Sequence, residues 1–305
     1  MRGDFFDKLH KEMKINEKIF FLMGDTGYNL VEPLFEEFPD RTLNVGVAEQ
    51  NLIGIAAGLC NLGYEPICYG ISNFLIHRCL EQIRNDLCMH DYPVTLAGTS
   101  TGLDNGALWA THYVVDDIGC VKPFPNMHIY SPSSVESINE VFDEVIKLPH
   151  PSYVRITKKS FKLNREIQHI NHFVVENEDA DILIIAHGRM VGNAFDVSKL
   201  SNKISVFAMD KIKPLDKKTI KILTDKFKNI IVIEDNFNSG LFNSIAQVIV
   251  ELHIHDVDIY SISPEESYGD SVGDTTYLDN KYGLTPEQIY DFIKKTYLKY
   301  LGRDP

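Results

Sequence analysis

No stretch of this chain approaches the ~18 consecutive apolar residues that a membrane-crossing helix needs, so no role inside a bilayer is expected. The start, Met1-Arg2-Gly3-Asp4, lacks an apolar signal core, which argues against secretion. Basic clusters are missing too. Thirty Lys and Arg face 43 Asp and Glu, for a net charge of -13. Pairs such as Lys158-Lys159 and Lys217-Lys218 are too short for the phosphate neutralisation that nucleic-acid binding requires. Cysteine is sparse: Cys60, Cys68, Cys79, Cys88 and Cys120 are odd in number and confined to the first half. None forms the two-residue spacing of a redox or zinc motif, so buried reduced thiols in a cytoplasmic protein are expected, and no metal site. Solenoid-period repeats and low-complexity segments are also absent.

What is present is an ordinary globular balance, with 44% hydrophobic and 24% charged residues over a length that accommodates two domains. Strand and helix signals alternate. Lys18–Met23, Tyr64–Tyr69 and Tyr92–Ala97 read as strands, with helices over Glu49–Leu62 and Asn73–Met89. After Arg155-Ile156-Thr157 the pattern turns polar and loses period, then resumes with apolar runs at 181–186, 204–209 and 229–234. This predicts an α/β protein of two doubly wound domains, 1–160 and 179–305, joined by a linker over 161–178. In such sheets ligands bind beyond the carboxyl ends of the strands. Gly24-Asp25-Thr26-Gly27, the turn at Glu49 and the Gly98–His112 loop fall there. His187-Gly188-Arg189 and Glu234-Asp235-Asn236 hold the matching places in the second half but read as ordinary loop chemistry.

The segment richest in information is Asn44-Val45-Gly46-Val47-Ala48-Glu49-Gln50-Asn51. Glu49 stands among uncharged neighbours where an extended segment turns into a helix. Leu52, Ala56 and Leu59 recur at helical spacing behind it. A negative charge suits the first turn of a helix, but a carboxylate in apolar surroundings also needs a partner and is a candidate for chemistry.

The octapeptide resembles the glutamate motif of the transketolase family of thiamine-diphosphate enzymes. Further segments in register are similar to the carboxyl-terminal part of that family, closest to its split forms: Phe74 with Arg78 and Glu81-Gln82-Ile83-Arg84-Asn85, Thr111-His112, Phe124-Pro125-Asn126-Met127, and Lys213-Pro214-Leu215-Asp216. The resemblance implies a pyrimidine-binding domain over 1–160 and a transketolase C-terminal-like domain over 179–305. It implies that Glu49 meets N1′ of the thiamine diphosphate aminopyrimidine and promotes proton loss at the thiazolium C2. Phe74 would stack on the pyrimidine, His112 would face C2 and exchange protons with substrate hydroxyls, and Asp25, Ile71 and Arg78 would also contact the cofactor. The G-D-G-x…N segment that holds the diphosphate and its Mg2+ in this family is not found here. The resemblance therefore implies a partner, an N-terminal transketolase-like subunit carrying diphosphate and metal, in an α2β2 assembly.

The substrate side departs from the family. Gly106-Ala107-Leu108-Trp109-Ala110-Thr111-His112 stands where the family has G-E-D-G-x-T-H, so Leu108 replaces an acid that recognises a sugar hydroxyl and Trp109 replaces a glycine. Ser100 stands for a histidine, Lys158 for a phosphate-binding arginine and Asn29 for a serine. The expected activity is transfer of a two-carbon ketol or related acyl unit on a non-standard sugar phosphate or 2-oxo acid. The alternatives are the β-type subunit of a 2-oxo acid dehydrogenase or decarboxylase, and a non-catalytic interaction protein on the same fold.

Overall fold

The computed structural model describes residues 1–158, 161–163, 165–268 and 271–301. Lys159 and the last residues of the 179–305 unit lie outside the described residues. The first half contributes β1 (Ile19–Met23), β2 (Thr42–Asn44), β3 (Glu65–Ile71), β4 (Thr95–Thr99), β5 (His128–Tyr130) and β6 (Ser152–Ile156). The second contributes β7 (His172–Val175), β8 (Ile182–Ala186), β9 (Ile204–Ala208), β10 (Lys211–Lys213), β11 (Asn229–Ile233) and β12 (Asp258–Ile262). They form a seven-stranded sheet, β10-β5-β6-β4-β3-β1-β2, and a five-stranded sheet, β12-β11-β8-β9-β7. Within each sheet all pairings are parallel except β10 on β5 and β7 on β9. The fold is two α/β domains, as the alternation of signals implies.

Helices cover both faces of each sheet, so the central strands read as continuous apolar runs. Ile182–Ala186 and Asn229–Ile233 are buried throughout. One face of the first sheet packs Phe21, Tyr69 and Val154 against Phe5, Phe6 and Phe142. The other packs Leu22, Cys68 and Leu96 against Leu52, Ile53, Ala56 and Ile83. Cys68, Cys79 and Cys88 are buried and all five thiols are free. Burial pushes Cys60 and Cys79 up to about 12, which keeps them as inert thiols. No helix among the described residues is long and apolar enough to cross a membrane.

Three features differ from the sequence reading. His172–Val175, inside the expected linker, is a strand, because Phe173, Val174 and Val175 are β-formers with an open edge of β9 to pair against. Lys211–Lys213 leaves its own half and closes the edge of the first sheet. The expected helix over Asn73–Met89 is broken into Ser72–Ile76, a 3-10 turn at His77–Cys79, Leu80–Gln82 and a π-helical stretch Ile83–Cys88. Cys79 carries the break, with φ -111° and ψ 11°. Such irregular turns commonly accompany functional positions, and here the break falls beside Arg78.

The halves share a core. Leu103, Tyr113 and Val115, from the first half, pack with Ile184, Met190 and Leu278 of the second. Buried ion pairs stand in both halves. Arg155 clasps Asp117 through Nε at 2.8 Å and Nη2 at 3.3 Å, and Arg189 donates from Nε to Asp235 at 2.6 Å and from both terminal nitrogens to Asp279 at 2.8 Å. His187 and Glu234, also buried, lie 3.5 Å apart at Nε2 and Oε2. Across the boundary Arg155 Nη1 lies 3.8 Å from Asp235 Oδ1 and His187 Nδ1 2.9 Å from Ser131 Oγ, so the two strand-end triplets help build the domain seam.

Candidate active site

The chain leaves β1 for β2 on one side and returns across it to β3 on the other, which makes a crevice at the carboxyl ends of β1 and β3. Glu49 opens the helix Glu49–Asn61 there and is 2% exposed. Its place follows from the hydrogen bonds of Asn44. Asn44 Oδ1 accepts from the N–H groups of Asp25 and Gly46, and its Nδ2 donates to Asp25 Oδ1. Gly46 takes φ 72°, which suits glycine, and turns the chain into the helix. No pattern along the chain marks Asn44 for this role; it comes from the contact with the β1 loop.

Arg78, carried by the 3-10 turn after β3, donates from Nη1 to Glu49 Oε2. The same guanidinium lies over Phe74, its Cζ 4.7 Å from the ring centroid. Phe74 in turn meets His112 edge to face at 5.3 Å. Four of the expected residues, Glu49, Arg78, Phe74 and His112, are thereby brought into one chain of contacts, with the end of β3 at Ile71 beside them. Glu49 Oε1 has no hydrogen-bond partner among the described residues. Gly24 lies against it: a Cβ there would stand 3.5 Å from Oε1, in ordinary contact.

The remaining expected residues fall in three groups. Asp25 (φ 51°) and Asn29 (φ 65°) are exposed on the loop after β1, with Asp25 also accepting from Tyr28 at 3.1 Å. Ser100 is buried at the end of β4 with φ 64°, and its Oγ accepts from Asn105 at 2.6 Å. Lys158 donates from Nζ to Asp104 O at 3.2 Å and to Asn105 Oδ1, and from its N–H to Asp104 Oδ2 at 2.6 Å. Lys158 therefore braces the Ser100 loop rather than standing free. Burial raises the Asp104 carboxyl against the pull of Arg189.

Leu108 and Trp109 are exposed on the turn before His112, at 55% and 45%. The turn is clamped from the second half. A Cβ on Gly106 would come 2.1 Å from Leu278 Cδ1, and one on Gly102 1.9 Å from Asp235 Oδ2. The second domain thus shapes the loop that carries the substrate-side residues. Among the described residues, no group of three His, Cys, Asp or Glu side chains could hold a metal ion.

Comparison with known proteins agrees with this layout. Residues 2–163 match the transketolase pyrimidine binding domain and residues 171–289 the transketolase C-terminal domain. The chain is 30% identical to the B subunit of the apulose-4-phosphate transketolase of Actinobacillus succinogenes, over 86% of each chain. It is 29% identical to the protein of the same name from Phocaeicola vulgatus, over 96% of this chain and 97% of that one. It is 28% identical to the 1-deoxy-D-xylulose-5-phosphate synthase of Aliarcobacter butzleri, of which it spans 44%. Among solved structures, a split gene transketolase described as an inactive β4 tetramer shares the fold with a TM-score of 0.84 at 24% identity, over 99% of this chain and 98% of that one. With its pyrimidine-binding and C-terminal domains both matched, the chain belongs to the transketolase family.

Proposed function

We propose that this chain is the pyrimidine-side subunit of a two-chain, thiamine-diphosphate-dependent transferase of the transketolase type. It would move a two-carbon ketol or related acyl unit between sugars. The observation that carries this reading is the buried Glu49 at the carboxyl ends of β1 and β3, held on one oxygen by Arg78 and without a hydrogen-bond partner on the other among the described residues. A carboxylate with one oxygen left unpaired among the described residues, next to a half-buried aromatic ring, fits an aminopyrimidine.

When bound, thiamine diphosphate supplies the nucleophilic carbon chemistry, and the protein supplies binding and electrostatics. Glu49 would hold the proton at N1′, and Phe74 would lie against the pyrimidine face. Asp25 and Ile71 would wall the ring. Arg78 anchors Glu49, and His112 would exchange protons with substrate hydroxyls. Asn29, Ser100, Leu108, Trp109 and Lys158 would form the substrate side. An N-terminal transketolase-like subunit would hold the diphosphate and Mg2+, with two copies of each chain in the complex. Two relatives are named as one subunit of a transketolase, and the solved structure comes from a split gene; both support such a division. The names of the relatives also support a sugar phosphate other than an ordinary transketolase donor. The division of the chain at 1–160 and 179–305 and a cytoplasmic location belong to the same proposal.

Calorimetry tests it. The isolated chain should bind thiamine diphosphate weakly, and the complex tightly with Mg2+. Sub-micromolar, metal-dependent binding by the isolated chain would remove the need for a partner.

A further inference from the structure

Beside the Glu49 cluster runs a second polar chain whose donors and acceptors can be assigned from the partners alone. Thr111 O is a backbone carbonyl and can only accept. Asn73 therefore turns its amide nitrogen towards it, at 2.7 Å. That leaves Asn73 Oδ1 facing His77 Nδ1 at 2.8 Å, so Nδ1 must carry a proton. On the other side of the ring, Nε2 stands 3.1 Å from Asp116 Oδ1, and Asp116 Oδ2 accepts from the Tyr268 hydroxyl at 2.8 Å. The Nε2–Asp116 contact is ionic rather than a well-aligned hydrogen bond, since Nε2 lacks hydrogen-bond geometry with any partner. Facing a carboxylate, Nε2 carries a proton as well.

The ring is thus an imidazolium. Burial opposes that charge, but Asp116, together with Cys120, outweighs it and lifts His77 to about 10. Burial raises Asp116 in turn, and His77 more than reverses this, so Asp116 stays a carboxylate below its ordinary range.

The chain continues to His112. The Thr111 hydroxyl donates its one proton to Leu108 O at 3.2 Å. Towards His112 Nδ1, 2.9 Å away, the same oxygen must then accept, so Nδ1 bears a proton.

We propose that His77 is a positioning residue: by donating from Nδ1 while Nε2 pairs with the Asp116 carboxylate, it orients the Asn73 amide, which holds the Thr111-His112 turn with Nδ1 engaged and leaves Nε2 as the ring nitrogen turned to the site. Tyr268 brings the second domain into this control, because its hydroxyl is the other group that fixes Asp116. The inference rests on the functional reading only where it makes His112 a proton-transfer group; the hydrogen-bond polarity stands on its own.

The test has two arms. In the first, the full chain is labelled with 15N on histidine, and the ring resonances of His77 and His112 are followed by NMR. Wild-type protein should show both His77 nitrogens protonated at neutral pH and His112 protonated at Nδ1. In His77→Phe the His112 ring should move to a mixed tautomer, and Asn73→Leu, which keeps the His77–Asp116 pair but takes the acceptor from His77 Nδ1, should do the same. His77→Gln, whose amide can still donate to Asn73, should recover part of the wild-type pattern. Asn73→Leu decides the matter if His77→Phe fails to fold. Unchanged His112 signals in the folded variants overturn the proposal.

In the second arm the two-chain complex is assayed. Loss of the tether should lower kcat by about tenfold to a hundredfold, the scale of a small misplacement of a reacting group, with donor KM nearly unchanged. Full kcat in either variant also overturns it. A wild-type complex with no thiamine-diphosphate-dependent turnover would end the functional reading, and the NMR arm alone would then decide the role of His77.

Discussion

Arg78 donates to Glu49 Oε2 and at the same time covers the Phe74 ring, with Cζ 4.7 Å from its centroid. One guanidinium thus sets both the carboxylate and the aromatic surface of the candidate cofactor site. Glu49 is 3% exposed at its side chain and Arg78 is 40% exposed, so the anion relies on this cation far more than the reverse.

Arg78→Met should therefore leave a buried carboxylate without a partner and lower stability by about 1–3 kcal/mol, the cost of an unsatisfied buried group. Adding Glu49→Gln to the same chain should restore much of the loss, because the remaining group is then neutral. Urea unfolding of both variants measures this. If the double variant is no more stable than Arg78→Met, the ion pair is not what holds Glu49.

Glu49→Gln by itself should fold and assemble normally, since the amide keeps the shape of the side chain. Hydrogen–deuterium exchange at C2 of thiamine diphosphate in the complex should slow by ~10²–10⁴-fold, the usual contribution of an acid–base group. Wild-type exchange in this variant would take Glu49 out of the chemistry.

Leu108 and Trp109 should bias donor choice. A hydroxylated ketose phosphate would meet Leu108 with a hydroxyl left unpaired, at a cost of ~1–3 kcal/mol. Leu108→Asp, alone or with Trp109→Gly, should raise kcat/KM for xylulose 5-phosphate relative to a donor that lacks the hydroxyl. Both side chains are exposed, so neither change should disturb the core. If wild-type complex already uses xylulose 5-phosphate as well as the hydroxyl-free donor, Leu108 and Trp109 are not specificity residues.

Asp210 should make stability depend on pH. It is fully buried between β9 and β10; Oδ2 accepts from Ser133 at 2.8 Å, and Oδ1 lacks a partner among the described residues. Burial lifts its carboxyl from 3.8 to about 7. The folded state then holds a proton that the unfolded chain has released, so stability falls as pH rises from about 4 to about 7, with the penalty complete above that. Asp210→Asn removes the penalty. Its gain should be greatest near pH 8, at most about 4 kcal/mol for roughly three pK units, and should shrink towards pH 4. A gain that is the same at about pH 4.5 and about pH 8 would assign the effect to packing and not to ionisation.

Much of this architecture is decided locally. The apolar runs of β1, β8, β9 and β11 and the helical spacing behind Glu49 follow from side-chain periodicity, and they appear where the sequence places them, within a residue or two. Glu49, Phe74, Arg78 and His112 are legible as candidates because their types occur at motif spacings along the chain. Their assembly depends on the crevice at β1 and β3, which needs both strands and the crossover between them.

The rest required the tertiary structure, for physical reasons that no local window contains. Lys211–Lys213 pairs with β5 because that sheet edge is open, and pairing is a property of two segments distant in sequence. The helix over 73–89 breaks where Phe74, His77 and Arg78 have partners elsewhere in the fold, which outweigh the preference of the segment for a continuous helix. Asn44, His77 and Asp104 carry no signal as single letters. Each gains its role from groups 19 to 54 residues away that only folding brings within reach. The sequence determined which residues could do chemistry here; the packing of the second domain on the first decided which of them meet.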